Sequence, residues 1–244
     1  MRSAGCAVAL VCVLFAGGTA TRRDHLVVDN FDRPEGLIVN ELSAAGGGGR
    51  TDPVWKQTSG SLFADGGVAY SGPIDATKPD VTSRDTTNSA VFRVVTHNAE
   101  LGDVNVALRF RIERYGSTSQ TPEHDWDGLH LLMRYADANN LYSLSFARRD
   151  GTVAIKRKAE GPDADATYAT LRQGQLHVPV GTWHDLAASA RNTAEGVLLE
   201  VWIDDTRVLR ALDTDVDGTA LWSAGRVGIR GDNVEFRFDN VVIR

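Results

Sequence analysis

Gly128-Leu-His-Leu-Leu-Met-Arg-Tyr135, a short Asp and Asn cluster through Ala138-Asn-Asn140, and Leu141-Tyr-Ser-Leu-Ser-Phe-Ala147 read together as two β-strands joined by a turn. In the first run Leu129, Leu131, Met133 and Tyr135 fall at every second position. Alternation therefore sends them to one buried face and His130 and Arg134 to the other. The same texture extends outward in both directions. Strands are expected over residues 90–96, 104–112, 152–158, 183–190, 197–203, 226–229 and 234–243, with turns at 149–151, 194–196, 204–205 and 231–233. No segment carries the period of a long amphipathic helix, so the class is all-β. Long loops are expected at Gly46–Gly49, Ser71–Asn88 and Ser117–Glu123, the places where a sandwich carries binding apparatus.

The N-terminus begins Met1-Arg2, continues through the apolar run Ala7–Phe15 and ends in the small residues Ala16-Gly-Gly-Thr-Ala20. That order is a secretory signal peptide, cleaved after Ala20, and the apolar run is shorter than a membrane span. Residues 21–244 are then expected to form one secreted domain, extracellular and free of the membrane. Both cysteines, Cys6 and Cys12, leave with the leader, so burial must stabilise the fold without disulfides. The net charge is −6, and −7 once Arg2 is lost, which argues against a nucleic-acid partner. A monomer is expected.

The segments Val28-Asp-Asn-Phe-Asp-Arg-Pro-Glu-Gly36, Asp127–Tyr135 with Asn140–Ser145, Gly181-Thr-Trp-His-Asp-Leu186, Leu199-Glu-Val-Trp-Ile-Asp-Asp205, Gly225-Arg-Val-Gly-Ile-Arg230 and Phe236-Arg-Phe-Asp-Asn-Val-Val242 occur in this order. On them the chain resembles the concanavalin A-like lectins and glucanases, which include laminin G-like modules, secreted bacterial sugar-binding domains, β-glucanases and polysaccharide lyases. The resemblance implies a jelly-roll β-sandwich of two antiparallel sheets, with a polysaccharide or oligosaccharide partner on a concave face. It also implies that the first and last strands are antiparallel neighbours, with a structural calcium there held by Asp239 in the last strand together with main-chain oxygens near the first, where Asp29 is a weaker ligand. No organic cofactor is implied.

Fold does not fix activity. The strongest cluster is His130, Arg134, Tyr142 and Lys156 on three consecutive strands, where they could share the polar face. For a uronate lyase, Arg134 or Lys156 would neutralise the carboxylate, His130 would act as base, and Tyr142 would donate to the leaving oxygen. Tyr142 also shares its strand face with Leu144 and Phe146, as a core residue would. Glu123-His-Asp-Trp-Asp127 loosely resembles the alternate carboxylates of the β-glucanase branch. Trp126 can stack on a sugar ring, with Asp127, Asp232 and Asn233 offering hydroxyl partners. Non-catalytic carbohydrate binding is the leading expectation. The alternatives are β-elimination by a lyase, glycoside hydrolysis of the β-glucanase type, and an adhesive protein using the sandwich for protein contacts.

Overall fold

Sixteen strands and no α-helix are found in the computed structural model, which describes residues 27–41, 49–74, 79–81, 83–160, 167–216 and 219–244. The expected leader and residues 46–48 of the glycine run lie outside them. In spatial order, the nine-stranded sheet runs β14 (Thr206–Asp213), β13 (Gly196–Ile203), β12 (His184–Thr193), β7 (Val104–Tyr115), β16 (Val234–Ile243), β5 (Val68–Tyr70), β4 (Ser61–Asp65), β2 (Gly36–Asn40). β1 (Val27–Asp29) also pairs with β16. The seven-stranded sheet runs β11 (Thr167–Gln175), β10 (Thr152–Ala159), β9 (Leu141–Arg148), β8 (Gly128–Tyr135), β15 (Arg226–Asp232), β6 (Val91–Thr96), β3 (Trp55–Ser59). Every recorded strand pair is antiparallel.

The two inner faces meet in one continuous apolar core. Leu129, Leu131 and Met133 enter it from β8, and Tyr142, Leu144 and Phe146 from β9. Phe110 and Ile112 oppose them from β7, and Phe236 and Phe238 from β16. Phe92 lies edge-on to Phe236 at 5.2 Å, and Phe110 edge-on to Phe146 at 4.8 Å, the geometry aromatic quadrupoles favour. Removing one such ring costs about 3–5 kcal/mol. First and last strands lie side by side as expected, Val27 opposite Ile243.

The turn expected at 231–233 is a crossover. Asp232 still pairs within β15, and Asn233, with φ of 47°, turns the chain from one sheet into the other. A second departure matters more for the site. Arg134 has φ of 49°, and the β8–β15 register slips between Arg226 and Gly228 opposite it. Such a bulge breaks period-two alternation. Arg134 consequently turns toward the other sheet, while Tyr135 joins Val95, Leu132 and Leu141 in a small apolar cluster separate from the core. Gly225 is fixed by this packing, because a Cβ there would fall 2.4 Å from the Arg134 carbonyl carbon.

Candidate functional site

A rung of paired residues crosses the outer face of the seven-stranded sheet. Arg93 on β6 lies opposite Arg230 on β15, Arg230 opposite His130 on β8, and His130 opposite Ser145 on β9. The next rungs add Ser143 opposite Lys156, and Lys158 opposite Tyr168 of β11. Their inward neighbours Phe92, Val94, Leu129, Leu131, Leu144, Ile229 and Ile155 hold the strands to the core.

The groups on the rung are ordered by one another. His130 Nδ1 and Ser145 Oγ share a hydrogen bond of 2.8 Å, and His130 Nε2 lies 3.2 Å from Asp232 Oδ2, outside hydrogen-bond alignment. Arg230 donates from Nε to both Asp232 oxygens, at 3.0 and 2.9 Å, and from Nη2 to Oδ1 at 2.8 Å. Arg93 donates from Nε to Thr58 Oγ1 at 2.8 Å. Burial pushes the His130 imidazole below its ordinary value against the pull of Asp232, so it is neutral at pH 7. Burial would raise the Asp232 carboxyl, but the Arg230 guanidinium holds it far below the carboxylate range.

The cations of this face act on one another across the strands. The Lys158 ammonium is lowered by burial and then by repulsion from Arg230 and Arg93, although β10 and β6 are four strand spacings apart, roughly 19 Å along a sheet. Tyr168 is 46% exposed, yet burial is the main cause holding its phenol up. It borders a recess, because Arg93, His130, Ser143 and Ser145 lie on this outer face and yet are only 7%, 8%, 5% and 4% exposed. Lys156 and Lys158 flank that ring, with Nζ 5.9 and 5.5 Å from its centroid.

The structure divides the expected quartet. His130 and Lys156 share the recessed face, but Tyr142 is fully buried between the sheets. Its hydroxyl donates to Asp213 Oδ2 of β14 at 2.8 Å and accepts the Leu221 N–H at 3.1 Å, while Arg157 Nη1 donates to Asp213 Oδ1 at 2.8 Å. Arg134 is likewise misplaced by the bulge. From Nη1 it donates to Asn192 Oδ1 at 2.6 Å, Leu221 O at 2.7 Å and Trp222 O at 3.0 Å, tying down the chain beside β12. Neither can act on a sugar at His130, and the lyase constellation is not assembled.

The carboxylate motif fares no better. Residues 121–127 precede β8 as turn and loop, so alternation on a strand face does not apply to Glu123, Asp125 and Asp127. Asp127 is fully buried, accepting the His124 N–H at 2.9 Å and Asn233 Nδ2 at 3.1 Å, while Asn233 also donates to Pro122 O and accepts from the Ala90 N–H. Asp127 and Asn233 are thus the knot of the crossover and not sugar ligands. Asp232 is on the recessed face, committed to Arg230. Trp126 is exposed, with one ring face stacked on His124 at 4.4 Å.

Of the two expected calcium ligands, Asp29 is already occupied. Asp29 accepts from Arg33 Nη2 on both oxygens, at 2.8 and 2.6 Å, from Trp55 Nε1 at 2.8 Å and from the Phe31 N–H at 2.9 Å. Asp239 Oδ2 accepts from Arg109, and only its buried Oδ1 lacks a partner. That leaves one free side-chain oxygen beside a guanidinium where calcium collects six to eight oxygens, so main-chain oxygens would have to supply the rest. No group of three or more potential metal-ligating side chains occurs among the described residues.

Alternation in Val91-Phe-Arg-Val-Val95 would have exposed Arg93 as the lone cation of its strand, but the adjacency of β6 and β15 joins residues far apart in the chain. Tyr168 was missed because β11 is a polar edge strand.

No family model and no curated protein matches the chain. Among solved structures, the carbohydrate binding module CBM66 from Bacillus subtilis superposes with a TM-score of 0.52 at 16% identity, covering 77% of this chain and 92% of that one. An endo-1,3-β-glucanase from Streptomyces sioyaensis superposes with a TM-score of 0.52 at 10% identity, over 93% and 99%. A protein of unknown function with a galectin-like fold from Bacillus subtilis gives 0.54 at 10% identity, over 78% and 88%. The protein is an all-β sandwich with the fold of the concanavalin A-like lectins and glucanases. Within that class it is a jelly roll of two antiparallel sheets, the smaller of which carries buried polar side chains on its outer face.

Proposed function

We propose that the protein binds carbohydrate, as a polysaccharide or oligosaccharide, in the recess of the seven-stranded sheet, and that it does so outside the cell as a monomer released from residues 1–20. The observation that carries this is the convergence over one sheet face of a half-exposed aromatic ring, Tyr168, with the polar groups of Arg93, His130, Ser145, Lys156 and Arg230. A sugar needs that combination, an apolar platform for its C–H face and directional partners for its hydroxyls. The folds that resemble this one include a carbohydrate binding module and a glucanase, which agrees with the reading. A binding role is favoured over β-elimination because Tyr142 and Arg134 are withdrawn from His130.

Affinity electrophoresis through gels containing a panel of soluble glycans tests the proposal. The protein is retarded by at least one, Tyr168→Ala abolishes the retardation, and Trp126→Ala leaves it. The ultraviolet absorbance of unsaturated uronate does not rise when the protein is incubated with acidic polysaccharides. Retardation unaffected by Tyr168→Ala would place the site elsewhere.

A further inference from the structure

The cations on the recessed face are not matched by carboxylates. Arg93 and Arg230 stand directly opposite each other on neighbouring strands, an arrangement that costs stability unless the charges are answered. Asp232 answers Arg230 alone, spending both oxygens on it. Among the described residues, Arg93 makes no ion pair, and its side-chain hydrogen bond, through Nε, leaves both Nη groups available. Lys156 Nζ makes no ion pair among the described residues; it lies over the Tyr168 ring, with Asp150 acting on it electrostatically. Lys158 spends two protons on Ala138 O and Asn139 Oδ1, which are neutral acceptors. Arg148 is paired with Asp150 at 2.7 Å. Glu41 acts on Arg93 and Asp80 on Arg230 electrostatically, without an ion pair to either arginine among the described residues, and both carboxylates line a cavity with Arg84. A chain whose net charge is −6 thus concentrates unpaired cations in one recess.

Resting on the carbohydrate-binding reading, we propose that the recess takes an acidic glycan, one bearing ring carboxylates or sulfates, laid across the strands so that one anion meets the Nη groups of Arg93 and a later one meets Lys156 beside Tyr168. Guanidinium suits this task, presenting paired donors to two oxygens of one anion. Anions at both ends of the recess make an oligomer bind more tightly than its monosaccharide.

Isothermal titration with a polyuronate, a sulfated glycan and a neutral β-glucan, each repeated at higher salt, tests this. Arg93→Gln and Lys156→Gln each weaken the acidic glycan about tenfold or more, the loss expected for one charge-assisted contact, and salt weakens wild type more than either variant. Lys156 lies away from the core, so its variant reads binding even if Arg93→Gln folds poorly. Preference between the polyuronate and the sulfated glycan tells which anion is natural. Binding of the neutral glucan alone, lost in Tyr168→Ala but not in Arg93→Gln or Lys156→Gln, would overturn the acidic ligand and leave the carbohydrate reading standing. Polyglutamate bound as tightly as the acidic glycan would also overturn it, as a generic anion surface. No binding to any glycan would overturn both.

Discussion

The outer faces of the two sheets use charge in opposite ways. On the nine-stranded sheet, cations are matched along the strands. Arg111 pairs with Glu113 at 2.7 Å, Arg237 with Asp65 at 2.6 Å, Arg114 with Glu235 at 2.8 Å, and Glu200 collects Arg191 and Arg207. Arg109 and Arg111 also lie over the Trp183 ring at 4.5 and 5.1 Å. That face is complete in itself, a ladder of solvated pairs each worth little. On the seven-stranded sheet the one ion pair on the rung, Arg230–Asp232, is recessed and its neighbours are left over. Paired charge maintains a surface, whereas recessed and unanswered charge is a demand for a ligand.

The sharpest break of that comparison is the same substitution made on each face. Asp232→Asn removes the carboxylate from a side chain only 6% exposed and leaves Arg230, itself 23% exposed, beside Arg93 without its ion-pair partner. The expected loss is about 3 kcal/mol, read as a shift in denaturant midpoint. A loss below about 1 kcal/mol would mean the recess is as wet as the other face.

Tyr142→Phe separates the core from the recess. The change strips the hydroxyl from a buried acceptor, Asp213, and from the Leu221 N–H, at an expected cost of about 1–2 kcal/mol. Glycan binding is unchanged, because the ring sits on the core side of β9. Weakened binding at preserved stability would return Tyr142 to the site.

This substitution also shows where sequence was informative. Alternation through Leu129, Leu131 and Met133 located the core face and put His130 outside it, and Leu144 and Phe146 already marked the face that Tyr142 shares. The rule failed at the end of the same strand because a period of two cannot register a left-handed residue: Arg134 at φ 49° turns inward and Tyr135 leaves the core face. Strand adjacency was the second blind spot. Arg93, His130 and Arg230 are each visible as polar positions on greasy strands, but only the sheet order β9-β8-β15-β6 makes them one site. Edge strands β11 and β14 were missed because one side of them faces water, which dilutes the apolar signal with Thr, Arg and Gln.

A smaller effect is gated by pH. His130 is held below its unfolded value, near 6.5, mainly by burial, with Asp232 pulling up and Arg230 and Arg148 pushing down. The unfolded chain therefore binds this proton first. Stability is full above about pH 6.5 and is lost as pH falls toward the folded value. Asp232, depressed in the fold, adds a further loss below about pH 4. His130→Gln removes the upper part of the slope and keeps the lower, which chemical denaturation at stepped pH reads directly. An unchanged slope near pH 6 would mean that His130 protonates as readily in the fold as out of it.

The smallest effect is expected at Asp239. Its partner Arg109 is 38% exposed and rests on Trp183, so losing the carboxylate leaves a cation that water and an indole face still solvate. Asp239→Asn should cost under about 1 kcal/mol, against about 3 for Asp232→Asn, although the two carboxylates are equally buried at 6%. The difference lies in the exposure of the arginine. The same residue tests the calcium expectation: with Asp29 occupied by Arg33 and Trp55, chelation by EDTA leaves the thermal midpoint unchanged. A drop on chelation, mimicked by Asp239→Asn, would mean that the buried Oδ1 holds an ion together with main-chain oxygens, and that this end of the nine-stranded sheet is not self-sufficient.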